Sequence, residues 1–198
     1  MLTLYHRPRS RSSRFLWLLE ELGEPYEIKL VTVRTADGSG ALDPNNPHPH
    51  GKVPVIVHNG VMVFESAAIC AYLTDAFPKN GIGPKIGDAM RGPYLSWLAY
   101  YAGVLEPAFV SKFMKVEVPR GTAGWVNVEE AMEFVDKTLG QRSFIAGDKF
   151  SAADILYSTS FMLFASSPVM PKTKNVDAYV KRCTARPAFA KSQARENG

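Results

Sequence analysis

Residues 7–14 read Arg-Pro-Arg-Ser-Arg-Ser-Ser-Arg, four arginines and three serines in eight positions. Phe15, Leu18, Leu19 and Leu22 follow at the i, i+3, i+4, i+7 spacing of an amphipathic helix. A helix N-terminus carries unpaired N–H groups and about half a positive charge. Arginines and serine hydroxyls gathered there suit an anion. The same residues also read as serine caps beside a solvated basic surface.

Three further segments have chemistry-bearing composition. Val53-Pro54-Val55 sets a proline in an apolar run that otherwise reads as a strand. The conflict is resolved by an edge strand or by a cis Val53–Pro54 bond, which would turn the Val53 backbone groups toward an extended ligand. Glu65-Ser66 stands where a strand gives way to a helix. It reads as plain capping, or as a pair in which Glu65 holds an ammonium and Ser66 a carboxylate, the two ends of an amino-acid head group. His48 and His50 lack a second ligand pair, so no metal is expected. Cys70 reads as a small buried hydrophobe and Cys183 as partly exposed, in no redox or metal spacing.

The elements that must position these residues follow from periodicity. Residues 2–6 and 26–33 read as strands on either side of the first helix, which ends at Gly23. A strand–helix–strand unit this short implies a parallel pair. Residues 34–52 form a long irregular stretch of the kind that is often functional. Residues 53–57 and 61–64 flank Asn59-Gly60, a strong hairpin signal. Ile69, Tyr72, Leu73 and Ala76 mark a second helix. Gly and Pro then dominate residues 79–93, which suits a linker. Beyond it the pattern is helical: a long helix through Leu98, Tyr101, Ala102 and Leu105, another through Val128, Met132, Val135 and Leu139, a capping-box start at Ser151–Asp154, and a last helix over 175–184 with a short tail. The expected domains are 1–78, mixed α/β, and 94–198, all α.

Composition bounds the possibilities. The chain has 198 residues, 46% of them hydrophobic and 21% charged, as in ordinary globular proteins. No apolar run is long enough to span a bilayer, and the first residues do not read as a signal peptide. With two cysteines, a reduced cytoplasmic protein is expected. The net charge of +4 invites a nucleic-acid reading. Its location argues against one: residues 1–80 hold eight basic and eight acidic side chains, whereas residues 172–198 hold seven and two. No nucleic-acid or membrane partner is expected.

Taken in order, LYHRPRSRSSR, FLWLLEELG, DPNNPHPHGKVPV, FESAAICAYL and FSAADI resemble the cytosolic glutathione S-transferases over essentially the whole chain. The resemblance implies a thioredoxin-like first domain and a helical-bundle second domain. It implies a cis proline at Pro54, with Val53 pairing by backbone with the cysteinyl part of glutathione. Glu65 and Ser66 would hold the γ-glutamyl head, with Lys52, Arg11 and His50 on the anionic groups.

Classes of this family activate the thiol with Tyr, Ser or Cys at the start of the first helix. The serine pattern of theta- and zeta-like members, a serine four residues before an arginine, selects Ser10 with Arg14. Ser12 is a near rival and Tyr5 a third choice. A beta-like cysteine would fall at Arg11, so that mechanism is absent. Tyr100, Tyr101 and Val104 are expected near the electrophile. The implied protein is a homodimer that conjugates glutathione, its cosubstrate, to small apolar electrophiles in detoxification. The alternatives within the family are a glutathione-dependent isomerase, a disulfide reductase or a non-catalytic interaction module. The Ser-Ser-Cys-Ser run of the zeta-like isomerases is missing, which argues against the first.

Overall fold

The computed structural model describes residues 1–197. Two compact units make up the chain: Met1–Asn80 with the chain end from Arg186, and Gly81–Ala185.

The first unit holds β1 (Leu2–His6), α1 (Ser13–Leu22), β2 (Glu27–Leu30), β3 (Val55–His58), β4 (Val61–Phe64) and α2 (Ser66–Ala76). Its four strands lie in the order β2-β1-β3-β4. β1 runs parallel to β2, while β3 is antiparallel to both β1 and β4. This mixed sheet is the thioredoxin-like architecture. Leu4, Val55 and Ile56 are fully buried on it, as are Ile69, Cys70 and Leu73 of α2.

Register decides where the loops meet. Tyr5 pairs with Val55, and Val55 pairs with Phe64. The exit from β1, the entry to β3 and the exit from β4 therefore share one end of the sheet. The β3–β4 hairpin turns on Asn59 and Gly60 at φ 52° and 82°, the twin positive values of a two-residue turn matched to strand twist. β3 starts at Val55, two residues later than the sequence pattern suggests, because Pro54 has no N–H for the ladder. β2 is shorter than expected and covers Glu27–Leu30 alone.

α1 is buried on more than one face. Phe15, Leu18, Leu19 and Leu22 are covered, and so are Leu16 and Trp17. The second cover is α8 (Pro187–Ala194), which packs on α1 where the sequence suggested only a short tail. Phe189 meets Trp17 edge to face at 4.9 Å. Arg186 grips Glu21 through Nε and Nη2 at 2.6 and 2.7 Å, and Trp17 Nε1 donates to the same carboxylate at 2.9 Å. The sequence reading ran the helical domain from 94 to 198. Contacts instead join the chain end to the first unit, since an all-round apolar α1 needs a second partner. Residue 198 lies outside the described residues.

The second unit holds α3 (Arg91–Tyr100), a π-helical turn (Tyr101–Leu105), α4 (Glu106–Phe113), α5 (Val128–Leu139), α6 (Ala152–Phe164) and α7 (Lys174–Thr184). The expected single helix through Leu105 changes register at the π turn. Pro107 explains this: it cannot donate to Gly103, and its ring would strike that carbonyl in α geometry. The stretch expected as a linker is ordered at Ile82, which is buried and accepts the Ala152 N–H at 2.8 Å.

α6 starts with the foreseen capping box of Ser151 and Asp154. Asp154 is fully buried and accepts from Ile145 N (2.7 Å), Ser151 N (2.8 Å) and Tyr179 Oη (2.8 Å). It thereby ties the loop before α6 to α7.

Candidate functional site

The β1–α1 connection is built around hydroxyls. Ser12 stands at the N-cap position of α1, but its side chain caps nothing. It is fully buried, and its Oγ lies 2.8 Å from His6 Nδ1 and 2.8 Å from Ser10 Oγ. The Arg7 N–H donates to it at 3.1 Å. The capping expectation thus fails for Ser12, because its oxygen is turned to the Arg7 N–H, Ser10 and His6 and not to the N–H groups of the first turn. Ser10 is half-buried, and its Oγ reaches the Arg7 carbonyl at 2.7 Å. Ser13 Oγ donates to Glu196 Oε1 at 2.6 Å, and the same oxygen accepts the Arg9 N–H at 2.5 Å. Arg9 holds φ 56°, an uncommon value for a non-glycine residue, and these contacts brace it.

Arg14 is buried in the first turn of α1, not solvated as a bare basic surface would be. Its charge acts on the Cys70 thiol, although burial dominates and pushes that thiol up. Arg11 is exposed. Tyr5 sits within the β1 ladder, its ring 5.7 Å from Lys29 Nζ, with no hydrogen bond to the serine cluster among those described.

At the neighbouring loop, the Val53–Pro54 bond is cis. β3 is internal to the sheet, so of the two readings of that proline the edge strand is excluded. Glu65 is exposed at φ 68°, ψ 126°, outside the regions open to L-residues without strain, and it precedes Ser66 at the start of α2. Strain of this kind costs about 1–3 kcal/mol and concentrates at functional sites. Lys52 is exposed, and its carbonyl accepts from Asn46 Nδ2 at 3.1 Å.

His48 gathers this side. It is buried against Phe64 with ring centroids 5.3 Å apart, and its Nδ1 accepts the His50 N–H at 3.0 Å. Burial lowers its pKa; the Glu65 charge opposes that, while His50 and Lys52 reinforce it. Glu65, His50 and Lys52 are therefore within electrostatic reach of one imidazole. A cavity of about 630 Å³ opens beside them, lined by Arg34, Asp43, His48, His50 and Lys52 among others. Among the described residues, no three His, Cys, Asp or Glu side chains cluster as a metal site would require.

In the helical unit, Tyr100 is half-buried against Trp97 and Phe134, and burial raises its pKa. Tyr101 is a core residue, 1% exposed, its hydroxyl bonded to Ser160 Oγ at 2.9 Å. Val104 is partly exposed on the π turn. Of the three residues expected near the electrophile, Tyr101 is thus closed off by packing.

Sequence reasoning missed His6, His48 and Glu196. His6 reads in the sequence as the end of an apolar strand, and His48 as half of an isolated histidine pair. Nothing local marked Glu196, since its partners lie at the other end of the chain.

The model of the glutathione S-transferase N-terminal domain matches residues 1–75, and that of the C-terminal domain matches residues 124–187. Glutathione S-transferase 3 of Schizosaccharomyces pombe is 27% identical, across 95% of this chain and 85% of its own length. GstA of Escherichia coli O157:H7 is 24% identical across 93% of both. Among solved structures, a sphingomonad glutathione S-transferase complexed with glutathione matches at TM-score 0.76 and 27% identity, covering 98% of each chain. A Methylococcus capsulatus glutathione transferase matches at 0.78 and 25%, covering 99% and 98%. With a thioredoxin-like unit, a helical unit and both family domains in sequence order, the chain belongs to the glutathione S-transferase family of enzymes.

Proposed function

We propose that this enzyme binds glutathione at the shared loop end of its sheet, ionises the thiol with Ser10 and conjugates it to small apolar electrophiles. Val53 would pair by backbone with the cysteinyl unit, Glu65 and Ser66 would hold the γ-glutamyl head, and Lys52 and His50 would face the glycyl carboxylate. Arg11 adds positive potential to the mouth. The reading assigns the chain to the serine-using, theta- or zeta-like branch, as a cytoplasmic homodimer acting in detoxification.

The observation that carries it is the contrast between the two serines. Ser12 is fully buried with its hydroxyl committed to His6, while Ser10 is half-buried just before α1. This supports Ser10 over Ser12 as the residue that meets the ligand sulfur. Tyr5 is less suited, being held in the β1 ladder beside Lys29.

The energetics are modest. A free thiol has pKa about 8.5 and is only a few per cent thiolate at neutral pH. Lowering it to about 6.5 takes roughly 2.7 kcal/mol. A hydroxyl donated to sulfur, the α1 N-terminus and nearby arginine charge supply this order of energy together. Ser10 acts as a donor and need not ionise.

Exposed apolar side chains support the remaining roles. Phe113 and Met114 at the end of α4 and Leu163 on α6 are exposed apolar side chains of the helical unit, and Tyr100 and Val104 would be the electrophile's contacts. Val61, Met62 and Phe64 on the outer strand β4 suit a second copy of the chain.

Calorimetry with glutathione tests the whole reading, and no heat at millimolar ligand would overturn it. For Ser10, the thiolate absorbance of bound glutathione is compared between the wild type and Ser10→Ala. The variant is expected to raise the bound-thiol pKa by one unit or more.

A further inference from the structure

We propose that His6 receives the proton of the bound thiol, relayed through Ser10 and Ser12. The proposal rests on the reading that Ser10 meets the sulfur. His6 is a positioning residue here, since it acts through two hydroxyls and touches no substrate.

The polarity of the chain is dictated from its far end. His6 Nε2 lies 2.9 Å from the carbonyl oxygen of Glu196, which can only accept. Nε2 therefore carries the hydrogen, and the neutral ring presents Nδ1 as an acceptor. The hydroxyl facing Nδ1 at 2.8 Å is that of Ser12, so the Ser12 proton points at the ring. Between Ser12 and Ser10, also 2.8 Å apart, only Ser10 can then donate, and its one hydrogen is shared between Ser12 Oγ and the Arg7 carbonyl. The Arg7 carbonyl, 2.7 Å from Ser10 Oγ and 3.2 Å from Ser12 Oγ, competes for these protons and holds both hydroxyls in line. The chain thus runs Ser10 to Ser12 to His6, and Ser10 Oγ also accepts the Ser12 N–H at 3.2 Å.

The transfer balances. The S–H bond of glutathione breaks as its proton passes to Ser10 Oγ. The proton of Ser10 passes to Ser12 Oγ, and that of Ser12 to His6 Nδ1. The products are a thiolate and an imidazolium, with both serines neutral and the net charge unchanged. Every hydrogen bond has then reversed: Nδ1–H donates to Ser12, Ser12 to Ser10 and Ser10 to the sulfur. This reversed chain is the arrangement that stabilises a thiolate, while Nε2–H stays on Glu196.

His6 and Ser12 are both fully buried, so water does not interrupt the line. The charged groups around the line are the Glu196 carboxylate on the chain end and Arg7, Arg9, Arg11 and Arg14 on the loop and the first turn of α1. The neighbours of His6 on the β2 side, Leu30 and Val31, are apolar.

The test measures two quantities as glutathione binds: thiolate absorbance, and protons released to a pH indicator in weak buffer. In the wild type, thiolate is expected to form with well under one proton released per site. Ser12→Ala cuts the relay while keeping His6. It is expected either to lower the thiolate fraction at least tenfold or to raise release to about one proton per thiolate. Ser12→Thr, which restores the hydroxyl, is expected to recover wild-type values, and His6→Gln to behave as Ser12→Ala does. Thiolate fraction and proton release unchanged in Ser12→Ala would overturn the relay. Ser10→Ala separates the two ideas: if it leaves the thiolate intact, the Ser10 reading falls, and if it abolishes the thiolate while Ser12→Ala does not, the relay alone falls. Should His6→Gln fail to fold, the Ala and Thr pair at position 12 decides.

Discussion

The Nε2 of His6 and the carbonyl oxygen of Glu196 stand 2.9 Å apart although 190 positions separate them in the chain. The contact closes α8 and the chain end over the loop that carries Ser10. The Glu196 carboxylate completes it by accepting from Arg9 N and Ser13 Oγ. One residue near the C-terminus thus braces the start of the first helix with both its backbone and its side chain.

Glu196→Ala is expected to cost about 1–2 kcal/mol, the worth of two charge-assisted hydrogen bonds at a partly exposed site. Deleting the chain from Glu196 onward should cost more, because it also removes the carbonyl that faces His6. Thermal unfolding of the two variants checks the order, and equal losses would show that the carbonyl contributes nothing.

Glu65→Gly should separate stability from binding. Glycine adopts φ 68°, ψ 126° without the penalty a side chain incurs, so the variant is expected to gain about 1 kcal/mol or more. Its glutathione affinity should fall at least tenfold as the carboxylate is lost. A denaturant melt and a calorimetric titration of one preparation measure both effects.

Asp154 gives a pH signature. Burial pushes its carboxyl up to about 6, from 3.8, against the hydrogen bonds that favour the anion. Between those values the folded state binds more protons than the unfolded one, so stability is present in full below pH 4 and is lost as pH rises through 6. A shift of this size corresponds to roughly 3 kcal/mol. The melting temperature of the wild type relative to Asp154→Asn should therefore fall from pH 4 to pH 7. A flat difference would contradict the shift.

Neither cysteine should react in the folded protein. Cys70 and Cys183 are both fully buried, and burial pushes both thiols up, Cys183 included despite its reading as partly exposed. Alkylation followed by mass spectrometry should show no modification in native buffer and two adducts in denaturant.

Features that depend on a few neighbouring residues were legible in the sequence. The Phe15–Leu22 stripe, the Asn59-Gly60 turn and the Ser151–Asp154 box each act within one or two turns of chain, and each appears where its spacing indicates. The register Tyr5–Val55–Phe64 then brings the arginine-serine loop, the Val53-Pro54 bond and Glu65-Ser66 to one end of the sheet. Less local features were misread. Ser12 looked like a cap because N-cap position and serine identity coincide, yet a buried imidazole from β1 claims its hydroxyl. Tyr101 looked like a cleft residue, yet Ser160 from α6 claims its hydroxyl. The π turn at Tyr101–Leu105 follows from Pro107, whose effect on the Gly103 carbonyl the apolar spacing does not show.

By itself the sequence determined the mixed α/β start, the helical stretch that follows it and the turns and caps built from neighbouring residues. These rest on periodicity and on motifs whose parts are close in the chain. Only the tertiary structure decided that Ser12 is buried against His6 while Ser10 is not fully covered, that His48 packs on Phe64, and that the last helix belongs to the first unit. Each of those outcomes is a competition for one donor, one acceptor or one apolar face, and it is resolved by which groups packing brings into contact, not by spacing along the chain.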